Sequence, residues 1–276
     1  MNKQLIFLDI DGTLTEPGKN TPPDSALEAI RRAQAAGHLV FLCSGRNYGM
    51  LKPLLTQHYD GIISSSGGYV EVEGEPIYNH PMTREKQDRA MEVLRRNHIF
   101  CTIECKDGSY TDDGLKDFLR TNAGEGGNSE LLRWREQLEQ SLGIRSMSEY
   151  DGKPIYKIIM MATSMEDLVN ARAELEGEFA FVVQESNGQT IFNGELVIPD
   201  YDKGQAIRRV CDFMHHPIED TMGSGDSMNA LEMIDTVGTS ICMANGSEEL
   251  KRRSDDICPA CTEDGLYHAF IKYNLI

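Results

Sequence analysis

Residues 5–13, which read LIFLDIDGT, determine how this chain folds. The almost continuous apolar run from Gln4 to Ile10 is typical of a strand buried on both faces of a parallel sheet. Asp9, Asp11 and Gly12 lie at its carboxyl end, the edge where open α/β sheets bind ligands. Two carboxylates so close together repel each other unless a cation shields them, and Gly12 allows a turn whose N–H groups suit an anion. The segment therefore predicts a strand that ends in a charged site, the alternative being a pair of turn or capping aspartates.

A helix and a second strand come after this segment and complete a βαβ unit. Residues 21–24, Thr-Pro-Pro-Asp, predict the helix start through a capping hydroxyl, prolines in the first turn and an early acid. Small and apolar residues then recur at helical spacing as far as Gly37, and residues 39–43 predict a second buried strand. Because such crossovers are right-handed, the two strands are expected to be parallel.

The pattern changes between residues 82 and 197. Helices are predicted at 84–97, 131–142 and 165–176, and strands at 99–104, 157–162, 179–184 and 189–192, with a loop at 124–128. This mixture is typical of an α+β domain, and alternating helices and strands resume after it. We therefore expect an α/β fold whose parallel-sheet core, residues 1–81 and 198–276, carries an inserted domain at residues 82–197. An insertion near the ligand-binding edge would form a lid.

The charge balance excludes one class of partner. The 276 residues include 44 acidic and 27 basic side chains, which gives a formal net charge of −17. A chain of this charge is not expected to hold nucleic acid or an anionic membrane over a broad surface. No apolar stretch approaches the roughly 20 residues of a membrane span, and no secretory segment is recognised, so we expect a cytoplasmic protein.

The seven cysteines are predicted to be reduced thiols. Their number is odd, which does not suit a secreted disulfide framework. Residues 258–261 read Cys-Pro-Ala-Cys, but a structural zinc site needs four ligands and no second pair has matching spacing.

Three further segments place polar side chains at the same sheet edge as Asp9. Ser44-Gly45-Arg46 comes after the second strand and can form a phosphate cradle. Asp226 comes after a later strand, and Lys203 starts a helix, where the helix dipole disfavours a cation unless an anion is close. Each feature alone is also compatible with an ordinary turn or a solvated side chain. Together they are the parts required for magnesium-assisted phosphoryl transfer to an aspartate.

The order of these motifs resembles the haloacid dehalogenase superfamily of phosphatases. The long insert, the segment 195–204 that leads to Lys203, and the closing residues 263–266 are similar to the type IIB, Cof-like subgroup. The resemblance implies a Rossmann-like core with a type IIB cap domain. It also implies that Mg²⁺ is the cofactor and that a small phosphorylated metabolite is the partner.

The resemblance implies a role for each candidate residue. The implied catalytic residues are Asp9, Asp11 and Lys203; the implied phosphate-binding residues are Ser44, Gly45, Arg46 and Gly12; the implied Mg²⁺ ligands are Asp9, Asp11 and Asp226, with Asn229 as a further candidate. Asp9 would accept the phosphoryl group, and Asp11 would protonate the leaving alcohol and then activate water. The backbone carbonyl of Asp11 would bind the cation, and Arg46 would either reach the substrate or pair with an acid.

The chain departs from the family pattern at two positions. Ala230 stands where the family commonly has an aspartate, and Ser66 where it commonly has an asparagine. Walker-type, HExxH and GxSxG motifs are missing from the sequence. We therefore expect a Mg²⁺-dependent phosphatase of a sugar phosphate or similar metabolite. The alternatives are a phosphomutase on the same scaffold and a weakly catalytic sensor of phosphorylated metabolites.

Overall fold

The structure is a computed structural model that describes residues 2–115, 117, 144–184 and 191–276. The strands, in chain order, are β1 (Leu5–Leu8), β2 (Leu39–Cys43), β3 (Gly61–Ser64), β4 (Tyr69–Val72), β5 (Glu75–Asn79), β6 (Phe100–Cys105), β7 (Gly108–Thr111), β8 (Ile144–Ser146), β9 (Ile155–Ala162), β10 (Ala180–Gln184), β11 (Phe192–Val197), β12 (Thr221–Gly225), β13 (Thr239–Met243) and β14 (Asp256–Cys258). The helices are α1 (Asp24–Ala35), α2 (Tyr48–Leu51), α3 (Arg84–Arg96), α4 (Met165–Leu175), α5 (Lys203–Met214), α6 (Leu231–Ile234), α7 (Glu248–Arg253) and α8 (Gly265–Lys272).

The chain divides into two compact units. The core unit comprises the described residues of Met1–Arg46, Leu51–Asn79 and Tyr201–Ile276, and the insert unit those of Asn47–Met50 and His80–Asp200. This division differs from the sequence-based one in two respects: the insert unit runs from residue 80 to 200 instead of 82 to 197, and it also includes Asn47–Met50. Across the described ranges, no helix is long and apolar enough to cross a membrane.

The core unit is built on one sheet. Within the described residues it has eight strands in the order β14-β13-β12-β1-β2-β3-β4-β5. All pairs from β14 to β3 are parallel, whereas β4 and β5 add an antiparallel hairpin. Strand β1 lies in the middle and is fully buried, as expected for an apolar strand between two parallel neighbours. Its carboxyl end therefore lies beside the carboxyl ends of β2 and β12.

Helices that pack against this sheet and against one another complete the core. Helix α5 packs against α6, β3 and β4, and its apolar residues join the cluster formed by the β1 and β2 side chains. Helix α1 packs against α8 and buries a stripe of small and apolar residues: Ala26, Ala29, Ile30 and Ala33.

The expectation that the Thr21 hydroxyl caps α1 is wrong. The N-cap residue of α1 is Pro23, and no side chain caps the helix. Proline fixes a φ angle compatible with a helix start, which explains how the helix begins here without a capping hydroxyl. After β12 the chain forms a 3₁₀ turn at Met228–Ala230 and then the short helix α6.

The insert unit has its own sheet. In the part of the chain that is described, it contains six strands in the order β10-β11-β9-β6-β7-β8, antiparallel except for the β7–β8 pair. Helices α3 and α4 pack against each other, α3 against β6 and α4 against β9. Strands β7 and β8 were not predicted from the sequence. The predicted loop at 124–128 and the helix at 131–142 lie outside the described residues.

Candidate active site

Parallel pairing brings the candidate residues to one edge of the core sheet. Leu8 pairs with Leu42 of β2 and with Ser224 of β12, so that Asp9, Ser44 and Asp226 lie just beyond the ends of neighbouring strands. The backbone N–H of Asp9 continues the ladder by donating to the carbonyl of Ser224 at 3.0 Å. All three polar side chains are buried. The edge therefore holds two buried carboxylates close together, which is unfavourable without compensation.

Lys203 supplies part of that compensation. Its Nζ lies 2.5 Å from Oδ1 of Asp9, and both side chains are buried. Burial alone would lower the pKa of Lys203, but the Asp9 carboxylate raises it above its ordinary value. Burial raises the pKa of Asp9 above its ordinary value, and the Lys203 ammonium opposes this rise and so favours the ionised carboxylate. The lysine at the start of α5 thus faces an anion, as its unfavourable position on the helix dipole predicted.

The N-cap of α5 fixes where Lys203 lies. Asp202 precedes the helix, and its side chain accepts hydrogen bonds from the backbone N–H of Gln205 at 2.7 Å and from the Gln205 side chain at 2.8 Å. Gly67 approaches the Asp202 carbonyl so closely that a Cβ atom would lie 2.4 Å from it. The start of α5 is thereby anchored on both sides of Lys203.

Asp226 is held against the first motif by backbone contacts. A Cβ atom on Gly12, whose φ is +77°, would lie 2.1 Å from Oδ2 of Asp226, so only glycine fits this position. The Asp226 carbonyl accepts from the backbone N–H of Ser247 at 2.8 Å. Burial, and after it the charge of Asp9, raise the pKa of Asp226 to about 7. Near neutral pH the Asp226 carboxyl therefore binds a proton, unless a cation occupies the site in place of the proton.

Asn245 completes this corner and was not identified from the sequence. Its Nδ2 donates to the Gly12 carbonyl at 2.8 Å, and its Oδ1 accepts from the backbone N–H of Cys261 at 3.2 Å. One amide side chain thus joins the first motif to the loop after β14. The sequence does contain a signal for Asn245, the Asn-Gly dipeptide shortly after β13. Polar side chains just beyond the ends of parallel strands meet at this edge of the sheet, so Asn245 could have been listed as a site candidate.

Two carboxylate oxygens at the edge can accept a cation. Oδ2 of Asp9 and Oδ1 of Asp226 are buried and have no hydrogen-bond partner among the described residues. Buried oxygens of this kind are normally bonded, and hard oxygen donors are the ligands that Mg²⁺ prefers. The described residues contain no group of three or more His, Cys, Asp or Glu side chains placed to hold a metal. Mg²⁺ commonly uses one or two carboxylates and keeps several waters, so the two oxygens fit it.

Asp11 is part of the motif, but its carboxylate points elsewhere. Oδ1 lies 2.7 Å from Nη2 of Arg46, Oδ2 lies 2.9 Å from Nε of the same guanidinium, and the backbone N–H of Gly18 also donates to Oδ1 at 3.0 Å. The sequence left two possibilities for Arg46, contact with the substrate or pairing with an acid. In the structure Arg46 pairs with an acid, Asp11.

The remaining candidates lie around this centre. Ser44 is buried beside β3, and its Oγ accepts from the backbone N–H of Arg46 at 3.1 Å, with Gly45 between the two residues. Oδ1 of Asn229 lies 3.5 Å from Nζ of Lys203 and accepts from Ser227 Oγ at 3.0 Å, so in this structure Asn229 contacts the lysine.

The positions that depart from the family pattern have distinct environments. Ser66 lies in the left-handed region at φ 57°, within the turn after β3. Ala230 is fully buried, and a Cβ on Gly225 would lie 2.5 Å from its Cβ. In the insert unit, Arg84 is an exposed partner of Asp88 at 3.0 Å.

Comparison with known proteins gives a consistent family assignment. The sequence matches the family described as haloacid dehalogenase-like hydrolase over residues 6–270. It is 28% identical to the 5-amino-6-(5-phospho-D-ribitylamino)uracil phosphatase YwtE of Bacillus subtilis (strain 168), with 95% of this chain and 94% of that protein covered. It is 22% identical to the pyridoxal phosphate phosphatase YbhA of Escherichia coli (strain K12), and the match covers the whole of both chains.

The solved structures agree on the fold. The haloacid dehalogenase subclass IIB sugar phosphatase BT4131 superimposes with a TM-score of 0.74 over 99% of this chain and 100% of that chain, at 20% identity. At this identity the likeness concerns the fold alone. The predicted α/β class with a parallel-sheet core, and the predicted family, are confirmed.

Proposed function

The chain belongs to the haloacid dehalogenase-like hydrolases, and we propose that it is a Mg²⁺-dependent phosphatase that hydrolyses a small phosphorylated metabolite through a phosphoaspartyl intermediate on Asp9. Relatives along the whole chain are named phosphatases, which supports the phosphatase class. The proposed chemistry rests on the side chains of the core unit.

The observation that carries the proposal is the asymmetry of the Asp9 carboxylate. Oδ1 is bonded to Lys203 at 2.5 Å, whereas Oδ2 is buried and without a hydrogen-bond partner in the described chain. A carboxylate with one oxygen fixed and the other available is oriented for attack on phosphorus. The ammonium of Lys203 also neutralises charge that develops on the phosphoryl group.

The reaction then proceeds in two displacements. In the first, Oδ2 of Asp9 forms a bond to phosphorus, the bond from phosphorus to the leaving oxygen breaks, and that oxygen takes its electron pair and a proton from Asp11. In the second, a water oxygen attacks phosphorus, the bond to Asp9 breaks and returns its electron pair to the carboxylate, and Asp11 accepts the water proton. The Ser44 hydroxyl and the Gly45 backbone lie at the same edge and would contact the phosphate oxygens.

The cation would be held by oxygens that already lie together. Asp226 Oδ1, the backbone carbonyl of Asp11 and the Asp9 carboxylate oxygen that does not attack phosphorus would bind it. When bound, Mg²⁺ shields the repulsion between carboxylates and phosphate and withdraws charge from the phosphoryl oxygens.

The substrate is proposed to be a sugar phosphate. The proteins compared above are named for a phosphorylated ribitylaminouracil, for pyridoxal phosphate and for sugar phosphates, which differ in the leaving group and share a small phosphate ester. The common part would be recognised by the core unit. The leaving group has to be recognised by residues outside these shared motifs.

The first test is hydrolysis of p-nitrophenyl phosphate by the wild type, by Asp9→Asn and by Asp212→Asn, with and without Mg²⁺. Asp212 is an exposed carboxylate on α5 and provides the matched control. We expect wild-type turnover to require Mg²⁺, to fall by about 10³-fold or more in Asp9→Asn, and to be retained in Asp212→Asn. Equal activity in the wild type and Asp9→Asn would contradict the proposed nucleophile.

A panel of phosphorylated metabolites, with inorganic phosphate release as the readout, tests the substrate class. Release from sugar phosphates at a higher kcat/KM than from other esters supports the proposal. Movement of phosphate within a substrate without net release, dependent on a bisphosphate, indicates a mutase. Tight binding of a phosphorylated ligand without turnover indicates a sensor.

A further inference from the structure

Arg46 is bound to Asp11 at two points and is itself held on several sides. Its side chain is fully buried, while that of Asp11 is 15% exposed. Besides the two bonds to Asp11, Nη1 of Arg46 donates to Oδ1 of Asn20 at 2.6 Å and Nη2 donates to the Lys19 carbonyl at 3.2 Å. All three guanidinium nitrogens are thus engaged. A guanidinium fixed in this way orients a carboxylate far more strictly than a flexible ammonium does.

The backbone around Arg46 is fixed as well. Its N–H donates to Ser44 Oγ at 3.1 Å, and its carbonyl accepts from the backbone N–H of Ser65 at 2.8 Å. The side chain therefore reaches Asp11 from a rigid turn between β2 and β3. Moving it would break bonds to two other segments of the core unit.

The consequence concerns the cation site. Three acidic side chains, Asp9, Asp11 and Asp226, belong to the same sheet edge, and the charge of Asp11 is close enough to act on both of the others. The described residues nevertheless contain no group of three metal-ligating side chains, and the Asp11 carboxylate is turned to Arg46. If Arg46 did not bind it, the Asp11 carboxylate would be attracted to a divalent cation held by Asp9 and Asp226.

We propose that Arg46 is a positioning residue that keeps the Asp11 carboxylate out of the cation's coordination shell. The inference rests on the proposed function, in which Asp11 must exchange protons with the leaving group and with water. A carboxylate oxygen that ligates the cation cannot at the same time exchange a proton with the leaving group or with water. Arg46 thereby keeps the proton exchange by Asp11 separate from cation binding at the same sheet edge.

The test measures Mg²⁺ affinity by calorimetry and needs no turnover. Arg46→Lys keeps the positive charge and loses the two-point contact, so an affinity change cannot be attributed to charge removal. We expect Arg46→Lys to bind Mg²⁺ about fivefold more tightly than the wild type, because Asp11 adds a ligand. The same substitution in an Asp11→Asn background should leave the affinity within about twofold of that background. Arg32→Lys, an exposed arginine on α1 bonded to Tyr267, is the matched control and should not change the affinity.

A milder variant covers the case in which Arg46→Lys does not fold. Asn20→Ala removes one of the bonds that hold Arg46 and changes no charge, and it should raise Mg²⁺ affinity by about twofold. Unchanged or weaker binding in both Arg46→Lys and Asn20→Ala overturns the inference. An equal gain with Asp11 present and in the Asp11→Asn background overturns it too, as does a wild type that binds no Mg²⁺.

Turnover separates this inference from the phosphatase proposal. With p-nitrophenyl phosphate at saturating Mg²⁺, Arg46→Lys should lower kcat by about tenfold with KM little changed, because Asp11 and not phosphate binding is affected. A large rise in KM with kcat retained would instead make Arg46 a phosphate ligand and overturn its positioning role. A wild type that hydrolyses no phosphate ester contradicts the proposed function, while the Mg²⁺ affinities still decide whether Arg46 restrains Asp11.

Discussion

Burial of Asp226 creates a conflict that a proton or a cation can resolve. Burial and the charge of Asp9 raise the pKa of Asp226 to about 7, whereas an unfolded aspartate titrates near 3.9. Between these values the folded protein binds the proton more strongly than the unfolded chain. The stability that this proton provides is therefore present at low pH and is lost as the pH rises through about 7.

Asp226→Asn should change both the pH dependence and the response to Mg²⁺. The neutral amide removes the repulsion, so the unliganded variant should be more stable than the wild type at about pH 7.5, by on the order of 1–4 kcal/mol. The difference should shrink at about pH 5, where the wild-type carboxyl is protonated. Urea denaturation at both pH values, with and without Mg²⁺, provides the measurement. Mg²⁺ should stabilise the wild type and Asp212→Asn, and have little effect on Asp226→Asn.

The same pH dependence in wild type and Asp226→Asn would show that this carboxyl does not set the stability. An undiminished Mg²⁺ response in Asp226→Asn would remove it from the proposed ligands.

At the scale of elements, the start of α5 connects stability with chemistry. Asp202 caps the helix and Lys203 is its first residue, so the bond to Gln205 fixes the helix end from which the lysine reaches Asp9. In the insert unit, Ser164 caps α4 in the same way, through a bond to the backbone N–H of Asp167 at 3.2 Å. The two caps are alike in local structure, but only the cap of α5 precedes a residue of the proposed active site.

Asp202→Ala and Ser164→Ala should therefore have the same kind of effect on stability and different effects on catalysis. Each loses a cap and should lower the free energy of unfolding by about 1 kcal/mol. Only Asp202→Ala should also lower kcat for p-nitrophenyl phosphate, by roughly tenfold, because Lys203 loses its fixed position. Chemical denaturation and steady-state kinetics measure the two effects. Equal kcat values in both variants would mean that the cap does not position the lysine.

Strand β9 carries a buried charged cluster in the insert unit. Lys157 is fully buried, and its Nζ lies 2.7 Å from Oε1 of Glu195 and 3.4 Å from Oε2 of Glu104. Strands β11 and β6, which carry the two glutamates, flank β9 in the sheet. Such a cluster is costly to disrupt, because removal of one partner leaves the others buried without compensation.

Lys157→Met should destabilise the insert unit by about 3–5 kcal/mol, since two carboxylates lose their cation. Hydrogen exchange should report the loss as faster exchange of the amides of β6, β9 and β11, with the core strands β1 and β2 little changed. Replacing both glutamates by glutamine in the same variant should restore much of the protection, because no buried charge remains. A variant as protected as the wild type would show that the cluster contributes nothing to stability.

At the scale of the whole molecule, the net charge of −17 opposes the approach of a phosphorylated substrate. The proposed site reverses the potential only locally, through Lys203, a bound cation and backbone N–H groups. Long-range repulsion between exposed charges is screened by salt, while the contacts within the buried site are screened much less.

The value of kcat/KM for a dianionic phosphate ester should therefore rise with ionic strength. Between about 0.01 and 0.15 M salt, where the screening length falls from about 30 to 8 Å, we expect an increase of roughly two- to fivefold. Steady-state kinetics at saturating Mg²⁺ provides the measurement. An ester whose leaving group carries an ammonium should respond less. A fall in kcat/KM with salt would indicate that a positive field around the site dominates.

The overall architecture was accessible from the sequence because its signals are local. The apolar run before Asp9 defined β1, helical spacing defined α1, and the carboxyl ends of parallel strands lie at one edge, so Asp9, Ser44 and Asp226 could be grouped. Strand β12, which reads Thr-Met-Gly-Ser-Gly, is poor in the β-branched apolar residues that identify a buried strand. The structure explains this composition: a Cβ on Gly223 would lie 3.1 Å from Met233 and Val237, so a small residue lets these side chains pack against the strand.

Only the tertiary structure decided which way each polar side chain points once it reaches that edge. The sequence placed three carboxylates together, and the fold turned that of Asp11 to Arg46, 35 residues away. It also joined Asn245 to Gly12 across 233 residues. Strand order is set by patterns repeated over many residues. A single side-chain hydrogen bond depends on distances of a few tenths of an ångström between distant segments, which only the folded chain fixes.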